Sequence, residues 1–245
     1  MKLKILLVIV ASSALIAYPV QAAALNPYLQ DSTGFDVSWP NNNCVSTLAR
    51  GAAWGIVGAT GGLNFHTNPC LPVEAAWFKH LSLYSNTGYA GLAKAQKYAG
   101  WPRHCATDDE NCLAYNWGYN AGKYAVKAAA QQNIHASMWW LDVEIENSWS
   151  ETNVLANRAS IQGMADAIER YVVVVTIGIY SYPGQWDKIT GSWRPGHWPS
   201  WVATGTYDRA TALAWCTGHD FTGGGTWLTQ YIEVLDRDYA CPPSY

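Results

Sequence analysis

The chain has 245 residues, 49% of them hydrophobic and 13% charged, with a formal net charge of −3. That length suits one large single-core domain or two small ones, and the weak acidity argues against a nucleic-acid partner, which would need a basic face. A chain so poor in charge must cover its surface with neutral polar and aromatic groups.

In chain order the first element is a leader. Lys2 and Lys4 precede a short apolar run, Leu6 to Val10 with Ala14 to Ala17, and Val20-Gln21-Ala22 fits a small-residue cleavage site. The run is too short for a membrane span and no stop-transfer pattern follows. Residues 1–22 are therefore expected to be a secretory signal peptide, and residues 23–245 a soluble mature domain without membrane contact. Cleavage removes two basic residues and no acid, which moves the net charge to −5.

Alternating strands and helices follow. Residues 34–38 read as a strand, 45–53 as a short helix, 54–60 as an apolar strand, 72–80 as a helix and 81–85 as a strand. A long polar segment carries Cys105 and Cys112. Residues 117–132 have helical spacing, with Trp117, Ala121, Tyr124 and Ala128 on one face. The strand around Asp142 comes next, then the best helix, 154–171, with Val154, Ile161, Met164 and Ile168 as its buried stripe. Residues 172–180 form a nearly continuous apolar run, as expected of a strand buried on both faces. Beyond about residue 190 the helices thin out: 201–203, 226–230 and 234–238 read as strands, and 208–216 as a lone helix. This alternation predicts one α/β barrel. A doubly wound sheet fits less well, because no Gly-x-Gly-x-x-Gly follows the first strand.

Export makes the six cysteines candidates for three disulfides. Short separations favour Cys44–Cys70, Cys105–Cys112 and Cys216–Cys241 among the 15 possible pairings. No metal or cofactor is expected, since neither Cys-x-x-Cys nor His-Glu-x-x-His occurs and the six histidines are scattered singly. The 14 Trp and 15 Tyr against 4 Phe favour flat faces with a polar handle, suited to stacking on sugar rings.

The chemistry is concentrated in Leu141-Asp142-Val143-Glu144. Acids alternate with apolar residues at period two, so on a strand Asp142 and Glu144 share one face while Leu141, Val143 and Ile145 share the other. Adjacent carboxyls resist joint ionisation, so Asp142 is expected to keep Glu144 protonated. Phe35-Asp36-Val37 repeats the device, and Leu235-Asp236-Arg237-Asp238 does so in part. In a barrel these acids would face the lumen near the mouth where active sites form. No nucleophile elbow is present, because Ser181 has the wrong glycine spacing.

At these residues the chain resembles glycoside hydrolase family 25, the lysozymes or muramidases. The resemblance rests on Gly34-Phe35-Asp36-Val37-Ser38-Trp39, on the central Asp142-Val143-Glu144, and on Trp227-Leu228-Thr229-Gln230-Tyr231 followed by Asp236. It is nearest to an exported bacterial, actinobacterial-type branch with Trp-Trp-Leu-Asp-Val-Glu and a terminal Asp-x-Asp-Tyr-Ala-Cys. The family implies an irregular TIM-like barrel of (β/α)5(β)3 type and cleavage of β-1,4 bonds in peptidoglycan. It implies Glu144 as general acid and Asp142 as a group that orients the acetamido substituent or stabilises developing charge, with Asp36 and Asp236 tuning both. Tyr180, Trp201 and Trp140 are candidate sugar platforms, and Asp238 competes with Asp236 for the last-strand role. The partner implied is a glycan strand, met by a monomer. Where the family's second strand often ends in Lys-Ala-Thr-Glu-Gly, this chain has Gly58-Ala59-Thr60-Gly61-Gly62. Two rival readings are a non-catalytic carbohydrate-binding barrel and a structural protein of the cell envelope.

Overall fold

The computed structural model describes residues 26–38, 44 and 52–242. The expected signal peptide, Trp39 and most of the expected helix over 45–53 lie outside these residues.

Eight strands close into a barrel in sequence order. They are β1 (Thr33–Val37), β2 (Trp54–Gly58), β3 (His80–Asn86), β4 (Met138–Asp142), β5 (Thr176–Ser181), β6 (Ser200–Ala203), β7 (Thr226–Ile232) and β8 (Asp236–Ala240). The helices between them are α1 (Leu71–Ala75), α2 (Leu92–Ala95), α3 (Glu110–Gln131), α4 (Val154–Tyr171), α5 (Pro183–Thr190) and α6 (Arg209–Ala214). Strands β1 to β7 pair in parallel, whereas β8 is antiparallel to both β7 and β1. Three residues separate β7 from β8. A connection that short permits only a hairpin, because a parallel return needs a dozen residues or more. The expected barrel, with helices lost toward its end, is the observed one.

Several boundaries differ from the sequence reading. Helix α3 starts seven residues earlier than expected, because the Asp109 side chain caps it by accepting from the Cys112 amide at 3.0 Å. Helix α5 was not anticipated, although Pro183 in its first turn and Gly191 at φ +62° after its end are start and stop signals. The apolar run 172–180 is only partly strand. Val173 and Val174 are 92% and 83% exposed, and Val174 has φ +58°. Helix α4 runs to Tyr171, so the next four residues must turn the chain back toward the barrel. Apolar character reports burial on average and does not report where the chain reverses.

Two apolar layers hold the barrel. Val37, Val57, Leu83, Leu141, Ile177, Ile179 and Val202 point outward to the helices. Trp54, Ile56, Met138, Trp140, Trp201 and Leu228 fill the lumen, and Tyr28 joins them from the segment before β1. The lumen admits indoles because glycine leaves room beside them: a Cβ on Gly178 would lie 2.2 Å from the Trp140 ring. Each lumen indole also finds an acceptor, Ser32 Oγ for Trp54, Tyr28 Oη for Trp140 and Asp238 Oδ1 for Trp201. Packing in the barrel and helix layers absorbs much of the Trp surplus. Trp54, Trp77, Trp117, Trp139, Trp140, Trp186, Trp198 and Trp201 are all buried.

Outside the barrel, α3 and α4 pack backbone to backbone through small residues. A Cβ on Gly163 would sit 2.1 Å from the Tyr115 carbonyl oxygen, which a main chain cannot yield without moving a helix. Gly163→Ala is therefore expected to destabilise by about 1–3 kcal/mol, the usual cost of overpacking. Equilibrium chemical denaturation checks this; an unchanged midpoint would refute the close-packed interface.

The three disulfides pair as expected, Cys44–Cys70, Cys105–Cys112 and Cys216–Cys241, with Cα separations of 5.2, 5.6 and 5.5 Å. Thiol labelling of denatured, unreduced protein should find no reactive cysteine, and two or more labelled would contradict the pairing. Reduction is expected to cost about 2–5 kcal/mol for each important bridge. In the chain-entropy view the bridges spanning 26 and 25 residues should matter more than the one spanning 7. Among the described residues no helix is long and apolar enough to cross a membrane.

Candidate active site

The acids meet at the mouth formed by the C-terminal ends of the parallel strands. Asp142 is the last residue of β4 and lies between Asn86 of β3 and Tyr180 of β5 in the ladder. Glu144 stands two residues later, in the turn leading to α4, where its carbonyl accepts from Trp149 Nε1 at 2.7 Å. The period-two pattern holds through buried Val143 and then fails, because Ile145 is exposed. Asp36 approaches from β1. Because β8 runs against its neighbours, its first residue, Asp236, arrives at the same mouth as the last residues of the others, and Asp238 lies one layer deeper. The direction of β8 thus decides between the two: Asp236 is exposed at the rim and Asp238 is buried.

A polar network holds these carboxyls. Asn86 Nδ2 donates to Asp142 Oδ2 at 2.7 Å, and its own Oδ1 accepts from Thr60 Oγ1 at 3.1 Å. Thr60, in the segment that departs from the family pattern, thus orients the amide that orients Asp142. Gln230 Nε2 donates to Asp36 Oδ2 at 2.8 Å, while its Oε1 accepts from the Tyr180 hydroxyl at 2.8 Å. Asn86, Thr60 and Gln230 were not identified from sequence as parts of the site. Tyr84-Ser85-Asn86 repeats the period-two spacing of the acid pair, and Gln230 lies within a motif already singled out, so both left a signal.

Burial dominates the electrostatics. It pushes the Asp36 carboxyl up to about 8, with Asp236 and Glu144 adding repulsion and the Gln230 amide opposing. Asp142 is held well above the usual carboxylate range, first by burial and then by Glu144. Glu144 is also raised, mainly by burial, but the hydrogen bond from Asp142 lowers it. Both carboxyls are thus raised, and burial is the leading cause for each, because desolvation penalises the charged form.

Of the other candidates, Tyr180 is half-buried at the mouth with its ring centroid 4.3 Å from that of Trp201. Trp140 and Trp201 are corrected: both lie buried in the lumen below the acids and present no face to a ligand. Asp238, buried with them, is likewise out of reach of a substrate. Exposed rings belong to the loops instead, Tyr182 just after β5 at 42% and Tyr207 after β6 at 79%. Glu146 and Glu151, in the segment after Glu144, are exposed. The insert carrying Cys105 and Cys112 packs on α3 through Tyr89, Leu113 and Trp117. It meets the acid loop where the Tyr89 amide donates to the Ser148 carbonyl at 2.7 Å. A cavity of about 460 Å³ at the opposite end of the barrel, between Ile134, Trp139, Tyr171 and Val172, has no carboxyl in its wall.

Known proteins share this architecture. The family model described as Lysozyme-like protein 1 matches residues 110–230, just under half of the chain, from α3 through Gln230. That span includes Asp142 and Glu144 but neither Asp36 nor Asp236. No curated protein sequence matches the chain. Among solved structures, a bacterial lysozyme from Streptomyces coelicolor is similar over 86% of this chain and 93% of its own, with a TM-score of 0.52 and 13% identity. A muramidase from Trichobolus zukalii covers 86% and 94%, with a TM-score of 0.49 and 14% identity. A family GH25 lysozyme from Aspergillus fumigatus covers 86% and 94%, with a TM-score of 0.48 and 13% identity. At these identities the likeness is one of fold. The barrel of seven parallel strands and one reversed strand shares its fold with the Streptomyces coelicolor lysozyme.

Proposed function

We propose that the chain is a secreted glycosidase that hydrolyses β-1,4 bonds of bacterial peptidoglycan by carboxylate acid catalysis. The observation that carries this reading is the meeting of Asp142 and Glu144 from one wall of the mouth with Asp36 and Asp236 from the other. Glycoside hydrolysis requires carboxyls on both faces of the scissile sugar, about 5–9.5 Å apart. Asp142 and Glu144 lie two residues apart at the end of β4, so both approach a bound ring from one wall. In this reading Glu144, the nearer to solvent, delivers a proton to the leaving oxygen. Asp142 holds Glu144 in place and stabilises the sugar that loses its leaving group. Asp236, exposed at the rim, supplies negative charge from the opposite wall as positive charge develops on the ring, and Asp36 beside it helps to position the sugar. Tyr180 at the mouth, with the exposed Tyr182 and Tyr207 in the loops that follow β5 and β6, offers aromatic surface for neighbouring sugars.

Three disulfides suit an oxidising, extracellular setting, in which the protein works as a monomer without a cofactor. The test is incubation of the purified protein with peptidoglycan, followed by mass analysis of the released muropeptides. Release of fragments with new reducing ends at muramic acid supports the reading. Binding to the glycan without release, across several peptidoglycans and chitin oligomers, would favour a non-catalytic carbohydrate-binding barrel.

A further inference from the structure

Beneath the four carboxyls of the mouth lies a fifth that the reaction outlined above does not use. Asp238 is fully buried in the lumen, paired with Gly34 of β1 on one side and Gln230 of β7 on the other. Its Oδ1 accepts from Trp201 Nε1 at 2.8 Å. Its Oδ2 is buried with no donor, and the side chain within hydrogen-bonding reach is another acid, Asp36. Two ionised carboxylates can only accept. An anionic oxygen buried without a donor, facing a second anion, is among the costliest arrangements in a folded protein. A proton on Asp238 Oδ2 removes both penalties, since the orphaned acceptor becomes a donor and the repulsion becomes a hydrogen bond.

We propose that Asp238 is a resident carboxylic acid, protonated through the neutral range, whose hydroxyl donates to Asp36 and, together with the Gln230 amide, positions it under the cleft. The groups acting on Asp238 are Asp36 from β1, Asp236 from its own strand and the Trp201 indole from β6, with the Tyr28 phenol beneath it. No basic group stands among them. Burial, then Asp36 and Asp236, hold its carboxyl well above the usual range, and Asp36, which accepts from the Gln230 amide, is pushed up to about 8. Asp238 is thus a positioning residue. Its catalytic meaning rests on the glycosidase reading, but its protonation does not.

The test uses Asp238→Asn. The amide copies the protonated acid: its oxygen accepts from Trp201 and its NH2 donates to Asp36, but it cannot ionise. A carboxyl raised on folding contributes stability that is full below its unfolded value, about 3.9, and is lost as pH rises through its folded value. The melting temperature of the wild type should therefore fall from pH 4 toward pH 9, and that of Asp238→Asn should fall less steeply. The infrared absorption of protonated carboxyls at neutral pH should be weaker in Asp238→Asn than in the wild type. Asp238→Leu, which strips Trp201 and Asp36 of their partner, should melt lower than Asp238→Asn at every pH. Identical pH slopes and infrared bands for wild type and Asp238→Asn would overturn the proposal. So would an Asp238→Asn chain that fails to fold, or an Asp238→Leu chain as stable as Asp238→Asn. None of these readouts requires turnover, so a wild type without glycosidase activity would defeat the proposed function and leave this assignment standing or falling by itself.

Discussion

Glu144→Gln is expected to abolish glycan cleavage while leaving the fold and sugar binding in place. Gln keeps the length and hydrogen-bonding shape of Glu but cannot deliver a proton. Positioned general acids contribute about 10²–10⁴-fold, so muropeptide release should fall by at least that range. The fold should tolerate the change because Glu144 stands in a turn at the mouth, where its backbone carbonyl, not its carboxyl, anchors Trp149. Removing a carboxyl raised by burial also relieves a desolvation penalty near neutrality. Melting curves and glycan pull-down on the same preparation separate loss of chemistry from loss of structure. Equal muropeptide release by wild type and a well-folded Glu144→Gln would rule out the assignment.

Asp142→Asn is expected to lower activity on the order of 10²-fold, the scale for loss of a placed electrostatic group, and to shift the pH profile in a defined direction. In the wild type Asp142 and Glu144 are neighbouring carboxyls, each raised by burial. In Asp142→Asn the carboxamide oxygen can still accept from Asn86, and its NH2 points a permanent donor at Glu144. A permanent donor favours the anion, so the Glu144 carboxyl should titrate at lower pH. A general acid works below its own titration point, and the limb of the profile that falls with rising pH should therefore move toward acid. Stability should move the other way. The carboxyl of Asp142 is raised on folding, so its contribution is full below the unfolded value and lost as pH rises through the folded one. Removing it should make Asp142→Asn melt above the wild type at neutral pH. A pH–activity profile and melting curves over the same pH range check both signs. A limb that moves toward alkali would mean that Asp142 raises Glu144 after all.

The acids themselves were legible in the sequence because a barrel strand advertises its two faces at period two. Asp36, and Asp142 with Glu144, sit between apolar residues that could only face the helices. The disulfide pairs were suggested by their short separations, and helix α4 was legible from a stripe of period 3.6. The aromatics that stand at the mouth were not. Trp140 and Trp201 occupy the same period-two face as the acids, and nothing local distinguishes a lumen residue at the mouth from one a layer below. That difference is depth along the barrel axis, set by the register of neighbouring strands.

What the sequence by itself determined was the alternation of faces and the presence of paired carboxyls, since each follows from spacing along one segment. What only the tertiary structure decided was the cysteine pairing, which the short separations suggested without fixing, and which carboxyl stands at the rim. Asp236 and Asp238 share one face of one strand, and their order of depth was set by β8 running antiparallel between β1 and β7. Asp142 and Glu144 are chemically near-equivalent, and the rise of each carboxyl was set first by how much water it loses on folding. Strand direction and desolvation both depend on residues far away in the chain, and no local pattern can encode them.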